Sequence, residues 1–159
     1  MLVKVYQHGN TREAVGSEVL PRVRQLLEDC DVALRPGAAT TVRKVFLEGL
    51  RGAGWTDRVR IDRRCNLTVT AMMGTVALCL QTGNMARMYA DLMKLQLAYL
   101  DGNITVAALV VPTSTAGAVL GSNIASYERL TRELEVFRSI VTVPLVVFGF
   151  EQTDKSNTP

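Results

Sequence analysis

Apolar and polar positions along this chain follow two periods. From residue 17 to 27, Val19, Leu20, Val23, Leu26 and Leu27 recur at the three- and four-residue spacing of a helix, with Ser17 placed as its N-cap. Pro21 suits a first turn, whose N–H groups have no partner inside the helix. After the loop Arg35-Pro36-Gly37, residues 40–51 repeat the helical period. Val42, Val45, Phe46, Gly49 and Leu50 share one face, Lys44, Glu48 and Arg51 the other, and Gly52 and Gly54 end the run. From Trp55 the period shortens to that of strands: Val59-Arg60-Ile61, Leu67 to Thr70, and Thr75 to Gln81. The turn Met73-Gly74 joins the last two as a hairpin.

A Gln81-Thr82-Gly83-Asn84 corner then opens a helix over about 84–100, with Met85, Met88, Tyr89, Leu92, Leu95 and Tyr99 toward the core. Its polar residues Asn84, Arg87, Asp91 and Lys94 fall on one stripe beside the end of the preceding strand. Asp101-Gly102-Asn103 breaks this helix, and the unbroken apolar run Ile104 to Val111, closed by Pro112, predicts a strand covered on both faces. Ser114 to Ser122 reads as a loop of small residues. A helix near 125–139 shows Tyr127, Leu130, Leu134 and Phe137 on one face, and a strand follows from Pro144 to Phe150. The alternation predicts one α/β domain over 1–151, a central mixed β-sheet flanked by helices, with a frayed polar tail at 152–159. In that sheet an antiparallel hairpin joins two strands that follow helices and pair in parallel.

Composition narrows the class. With 159 residues, 48% hydrophobic and 21% charged, the chain has enough core to fold without a staple. Three cysteines, an odd number without a C-x-x-C pair, fit a reducing cytoplasm. No run approaches the roughly 20 apolar residues of a bilayer span, and the N-terminus lacks a signal-peptide core, so a soluble protein with no membrane partner is expected.

The net charge is only +3, but residues 35–64 carry eight basic side chains against three acidic ones. Such a local excess of arginine is the footprint of a phosphate-backbone contact, although a solvated face gives the same count. Arg58, Arg60, Arg63 and Arg64 are the candidates there, joined by Asn84 and Arg87 across the corner. GxGxxG, Walker, HExxH and GxSxG patterns are absent, so neither a nucleotide cofactor, zinc nor a hydrolase triad is supported. The lone His8, in Gln-His-Gly-Asn, reads as a turn or surface residue.

The run from Leu78 to Gln96, with Gly102-Asn103-Ile104 and Pro112-Thr113, resembles the BglII/BamHI-type restriction endonucleases. The likeness continues more weakly through Gly121 to Ala125 and Pro144 to Val147. It implies a restriction-endonuclease-like fold in which a strand hairpin presents acids to Mg²⁺, water attacks a phosphate of double-stranded DNA, and a homodimer cuts a palindrome. A hard divalent cation wants oxygen ligands, because it must polarise the phosphoryl oxygen and supply hydroxide. BglII-like members read Glu-x-Gln on the second strand, with an aspartate nine residues before the glutamate. Gln81 matches the Gln, but Cys79 then stands for the glutamate and Thr70 for the aspartate.

Three readings follow. In the first, relocated acids restore a Mg²⁺-dependent endonuclease: Asp62 and Asp91 as metal ligands, Glu48 as an accessory acid, Gln81 orienting water, Lys94 stabilising phosphate charge. In the second, the chain keeps the nuclease fold and binds nucleic acid or a protein partner without cutting. In the third it is a small-molecule enzyme sharing only α/β architecture, which would need a closed apolar pocket and no basic cleft.

Overall fold

The alternating strand pattern resolves into one mixed sheet with its apolar faces covered on both sides. The computed structural model describes residues 1–153. The elements run β1 (Leu2–His8), a 3₁₀ turn (Ser17–Val19), α1 (Leu20–Glu28), α2 (Ala39–Gly52), β2 (Thr56–Asp62), β3 (Leu67–Met73), β4 (Val76–Leu80), α3 (Met85–Leu100), β5 (Val106–Pro112), α4 (Ser114–Leu120), α5 (Tyr127–Val136) and β6 (Leu145–Glu151). Six strands form the order β1-β6-β5-β4-β3-β2. β4, β5 and β6 pair in parallel, while β2, β3 and β4 form an antiparallel meander and β1 closes the far edge antiparallel to β6.

Period-2 side-chain alternation divides the core. Val76, Leu78 and Leu80 of β4, with Val106, Ala108 and Val110 of β5, pack toward α1 and α2 against Val23, Leu27, Val42, Phe46 and Leu50. Ala77, Cys79, Ala107, Leu109 and Val111 face the other way, onto Met88, Leu92 and Leu95 of α3 and Leu130 and Leu134 of α5. Helix α5 lies close on β6: a Cβ added at Gly149 would come within 2.5 Å of the Tyr127 ring.

Several expectations change. β1 was not foreseen, and His8 is its buried last residue, its Nε2 donating to the Val141 carbonyl at 2.6 Å rather than standing in a surface turn. Ser17 opens the 3₁₀ turn and makes no side-chain cap to the helix that follows. The segment 114–120 is a helix, not a loop, because Thr113 accepts the Ala116 N–H as its N-cap and Ala116, Gly117 and Leu120 are buried. Val45 is 36% exposed, so the core stripe of α2 is the narrower Val42, Phe46 and Leu50. Glu151 is the last residue of β6, accepting from the Thr113 hydroxyl, and the Gln152 side chain accepts from the Leu34 N–H. The rest of the expected tail, 154–159, lies outside the described residues.

Candidate phosphate-binding cleft

The cleft originates in a break in the sheet. The β3–β4 ladder runs from Met73↔Val76 to Ala71↔Leu78 and stops. Beyond it the Leu80 N–H donates to the Thr70 hydroxyl at 3.0 Å, a side chain standing where a ladder carbonyl would be. On the other flank, Arg58 interrupts the β2–β3 pairing between Asp57↔Ala71 and Val59↔Val69 with φ at +49°. That left-handed conformation is unfavourable for a residue with a Cβ and tends to mark functional positions. Between the parted strands and helices α2 and α3 lies a cleft of about 740 Å³.

Among the described residues, four cations line it: Arg43 from α2, Arg58 from β2, and Arg87 and Lys94 from α3. The two carboxylates in its lining, Asp57 and Asp91, each have a cationic partner, Arg51 Nε at 2.8 Å and Lys94 Nζ at 2.9 Å. Arg43 is fixed at the rim because its Nη1 donates to the Leu80 carbonyl at 3.1 Å.

At the cleft's inner end the polar groups form one chain. The backbone N–H of Gln81 donates to the Val110 carbonyl, continuing β4 alongside β5 for one more residue. Its side-chain oxygen accepts the Gly83 N–H at 2.8 Å, and its Nε2 donates to Asp91 Oδ2 at 2.7 Å. Asp91 Oδ1 accepts from Lys94 Nζ at 2.9 Å. Gly83 leaves room for this contact, since a Cβ there would stand 2.8 Å from Gln81 Oε1 and push the amide aside. The Asn84 side chain caps α3 by accepting the Arg87 N–H at 3.0 Å, which sets the helix so that Asp91 and Lys94 arrive beside the end of β4. Beneath Asp91, Cys79 is buried in the α3-side core, and burial first, then the neighbouring carboxylate, push its thiol up to about 12.

Of the residues singled out in the sequence, Gln81, Asp91, Lys94, Arg58 and Arg87 therefore meet in one cleft. Asp62 does not line it. Its Oδ1 accepts the N–H groups of Arg64 and Cys65 at 2.8 and 2.9 Å, which closes the β2–β3 turn. The Cys65 N–H, followed by the Arg64 side chain, holds its carboxyl below the usual range. Arg63 and Arg64 lie exposed at that turn, Arg60 is exposed on β2, and Glu48 is exposed on α2 away from the cleft lining. Arg43 and Thr70 were given no binding role from sequence. The spacing Ala39-Arg43-Leu47, one face of α2, was the available signal for the arginine.

A divalent cation does not fit this donor set. The position corresponding to the expected aspartate carries a hydroxyl already engaged by Leu80, and that of the glutamate a buried, protonated thiol, a soft ligand ill-suited to Mg²⁺. Asp91 brings one carboxylate with an ammonium already on it. Two unit positive charges 4 Å apart repel by roughly 4 kcal/mol at an effective dielectric near 20, and a divalent ion beside Lys94 meets about twice that. Among the described residues, no group of three or more His, Cys, Asp or Glu side chains is arranged to hold a metal.

A six-stranded mixed sheet flanked by helices, with a cationic cleft between two of them, defines an α/β protein of restriction-endonuclease-like fold. The chain belongs to the restriction endonuclease BglII/BglIII family, whose model matches residues 5–150. The crystal structure of restriction endonuclease BglII complexed with a DNA 16-mer superposes with a TM-score of 0.87 at 10% identity, over 98% of this chain and 81% of that one. Free BglII gives 0.74 at 12% identity, over 98% and 82%. No curated protein matches the sequence.

Proposed function

We propose that this chain is a DNA-binding member of the BglII/BglIII family that grips the phosphate backbone of double-stranded DNA in the α2–α3 cleft and does not hydrolyse it. The observation that carries the reading is the Lys94–Asp91–Gln81 chain, which neutralises the one carboxylate at the end of β4 from within the protein. The excess of two cations in the cleft lining supports a phosphate ligand. The DNA 16-mer bound to the BglII relative supports duplex DNA as its source. A small-molecule enzyme with a closed apolar pocket is disfavoured by the charged lining. The three thiols, all free, suit the cytoplasm, and among the described residues no helix is long and apolar enough to cross a membrane. A homodimer would match the two-fold symmetry of a palindromic site. The exposed Val136, Phe137 and Ile140 at and just beyond the end of α5 offer apolar surface for it.

One observation favours a second reading, Mg²⁺-dependent cleavage of the type II restriction kind. Asp91 reaches Gln81 at 2.7 Å, as a relocated acid would, with Gln81 placed to orient water and Lys94 to meet phosphate charge. Supercoiled plasmid incubated with the protein and Mg²⁺ or Mn²⁺ separates the two. Under the non-cleaving reading it stays supercoiled while labelled duplex is bound in a salt-dependent manner. Nicking by the wild type that disappears in Asp91→Ala would establish the second reading instead.

A further inference from the structure

The disagreement between this cleft and a metal site has a direction. Lys94 Nζ uses one donor on Asp91 Oδ1, and an ammonium carries three. The Lys94 side chain is 24% exposed and lines the cleft, so its remaining N–H groups are accessible from it. Asp91 is itself fixed by Gln81, and Gln81 by the Gly83 N–H, so the ammonium sits on a rigid chain of hydrogen bonds that begins in the sheet. Arg43 and Arg87 lie in the lining of the same cleft. A phosphodiester oxygen seated there finds a preorganised positive charge at the end of β4.

We propose that the Lys94 ammonium, anchored by Asp91 and Gln81, takes the place of a divalent cation as the charge that receives a DNA phosphate, so that the chain binds duplex DNA without metal. This inference rests on the DNA-binding reading above and adds which cation does the work. It suits a threonine at position 70 and a cysteine at position 79, where the resemblance implies acids: with an internal cation there is nothing for further carboxylates to hold, and each added negative charge would repel the phosphate.

The test uses the full chain and a fluorescein-labelled duplex of mixed sequence, with binding followed by anisotropy in EDTA and in Ca²⁺ across a range of monovalent salt. Affinity and salt slope are expected to agree within twofold between the two buffers. The double variant Asp91→Asn/Lys94→Met removes both charges together, leaving net charge unchanged and no buried carboxylate unpaired. It is expected to bind about tenfold more weakly, with a salt slope shallower by roughly 0.9, the value of one phosphate contact. Wild-type binding that needs Ca²⁺ overturns the inference and leaves DNA binding standing, as does a folded double variant with unchanged affinity and slope. Absence of binding in every buffer removes the DNA reading and this inference with it. Should the double variant not fold, Lys94→Gln, whose amide can still donate to Asp91, is read in its place, and unchanged affinity and slope again overturn the inference.

Discussion

Arg58 and Cys79 show how single residues set the character of the cleft. Arg58 holds a left-handed backbone, a conformation that costs a residue with a side chain about 1–2 kcal/mol relative to the right-handed form. Glycine adopts it freely, although it also gives the unfolded chain more freedom. Arg58→Gly is therefore expected to leave thermal stability unchanged or raise it by up to about 1 kcal/mol, while weakening DNA binding and making its salt dependence shallower. A loss of stability with full affinity would mean that the arginine braces the sheet and does not meet phosphate. Cys79 titrates near 12 in the fold against an ordinary 9.0. Because the folded value is the higher one, its contribution to stability is complete below about pH 9 and is lost as the pH rises toward 12. Urea unfolding at pH 8 and pH 10 should thus show a larger fall for the wild type than for Cys79→Ala, even if the alanine variant is less stable at both. Parallel falls would place the alkaline sensitivity elsewhere.

At the scale of elements, the site depends on where α3 begins. Its N-terminal N–H groups need a partner, and the Asn84 side chain supplies one to Arg87. Asn84→Ala should cost about 1 kcal/mol and Asn84→Gly only a few tenths, measured by urea denaturation. An equal and negligible cost for both would indicate that the corner, not the cap, positions the helix. The corner is indeed held separately, by the Ala125 N–H donating to the Gly83 carbonyl. α3 was legible from sequence because Met85, Met88, Leu92 and Leu95 keep the helical period directly after the Gln81-Thr82-Gly83-Asn84 corner, whereas the cap supplied by Asn84 appeared only in the structure. α4 was not, since its small residues carry no strong apolar period, and the Thr113 cap with burial against β5 and β6 makes it a helix. β1 escaped for a similar reason. As an edge strand with only Val3 and His8 buried, it shows no clean alternation.

For the whole molecule, charge is the property that matters. A net +3 says little, but the fold brings Arg43, Arg58, Arg87 and Lys94 from three different elements into one cleft. If each engages one phosphate, the logarithm of the DNA affinity should fall against the logarithm of salt with a slope of roughly −3 to −4. A slope near zero would mean that the arginine-rich segment is only a solvated face, the alternative its composition left open. The same assembly explains why acids chosen by proximity in sequence did not converge. Asp62 lies only a few residues beyond Arg58, but at the other end of β2, and its carboxylate is consumed by a turn.

The order of periods along the chain determined most of the architecture, because helical and strand spacing each bury one face only in the matching element. The sequence also determined that positions 70 and 79 offer no carboxylate, since no fold makes a hard anionic ligand of a threonine or a protonated cysteine. Which charges meet across elements was decided by tertiary structure. Asp91 pairs with Lys94 three residues along its own helix, a contact the spacing allows, but nothing local chooses whether its other oxygen goes to a metal or to a protein donor. The choice was made by the end of β4, which delivers the Gln81 amide to one carboxylate oxygen while Lys94, one turn along α3, takes the other.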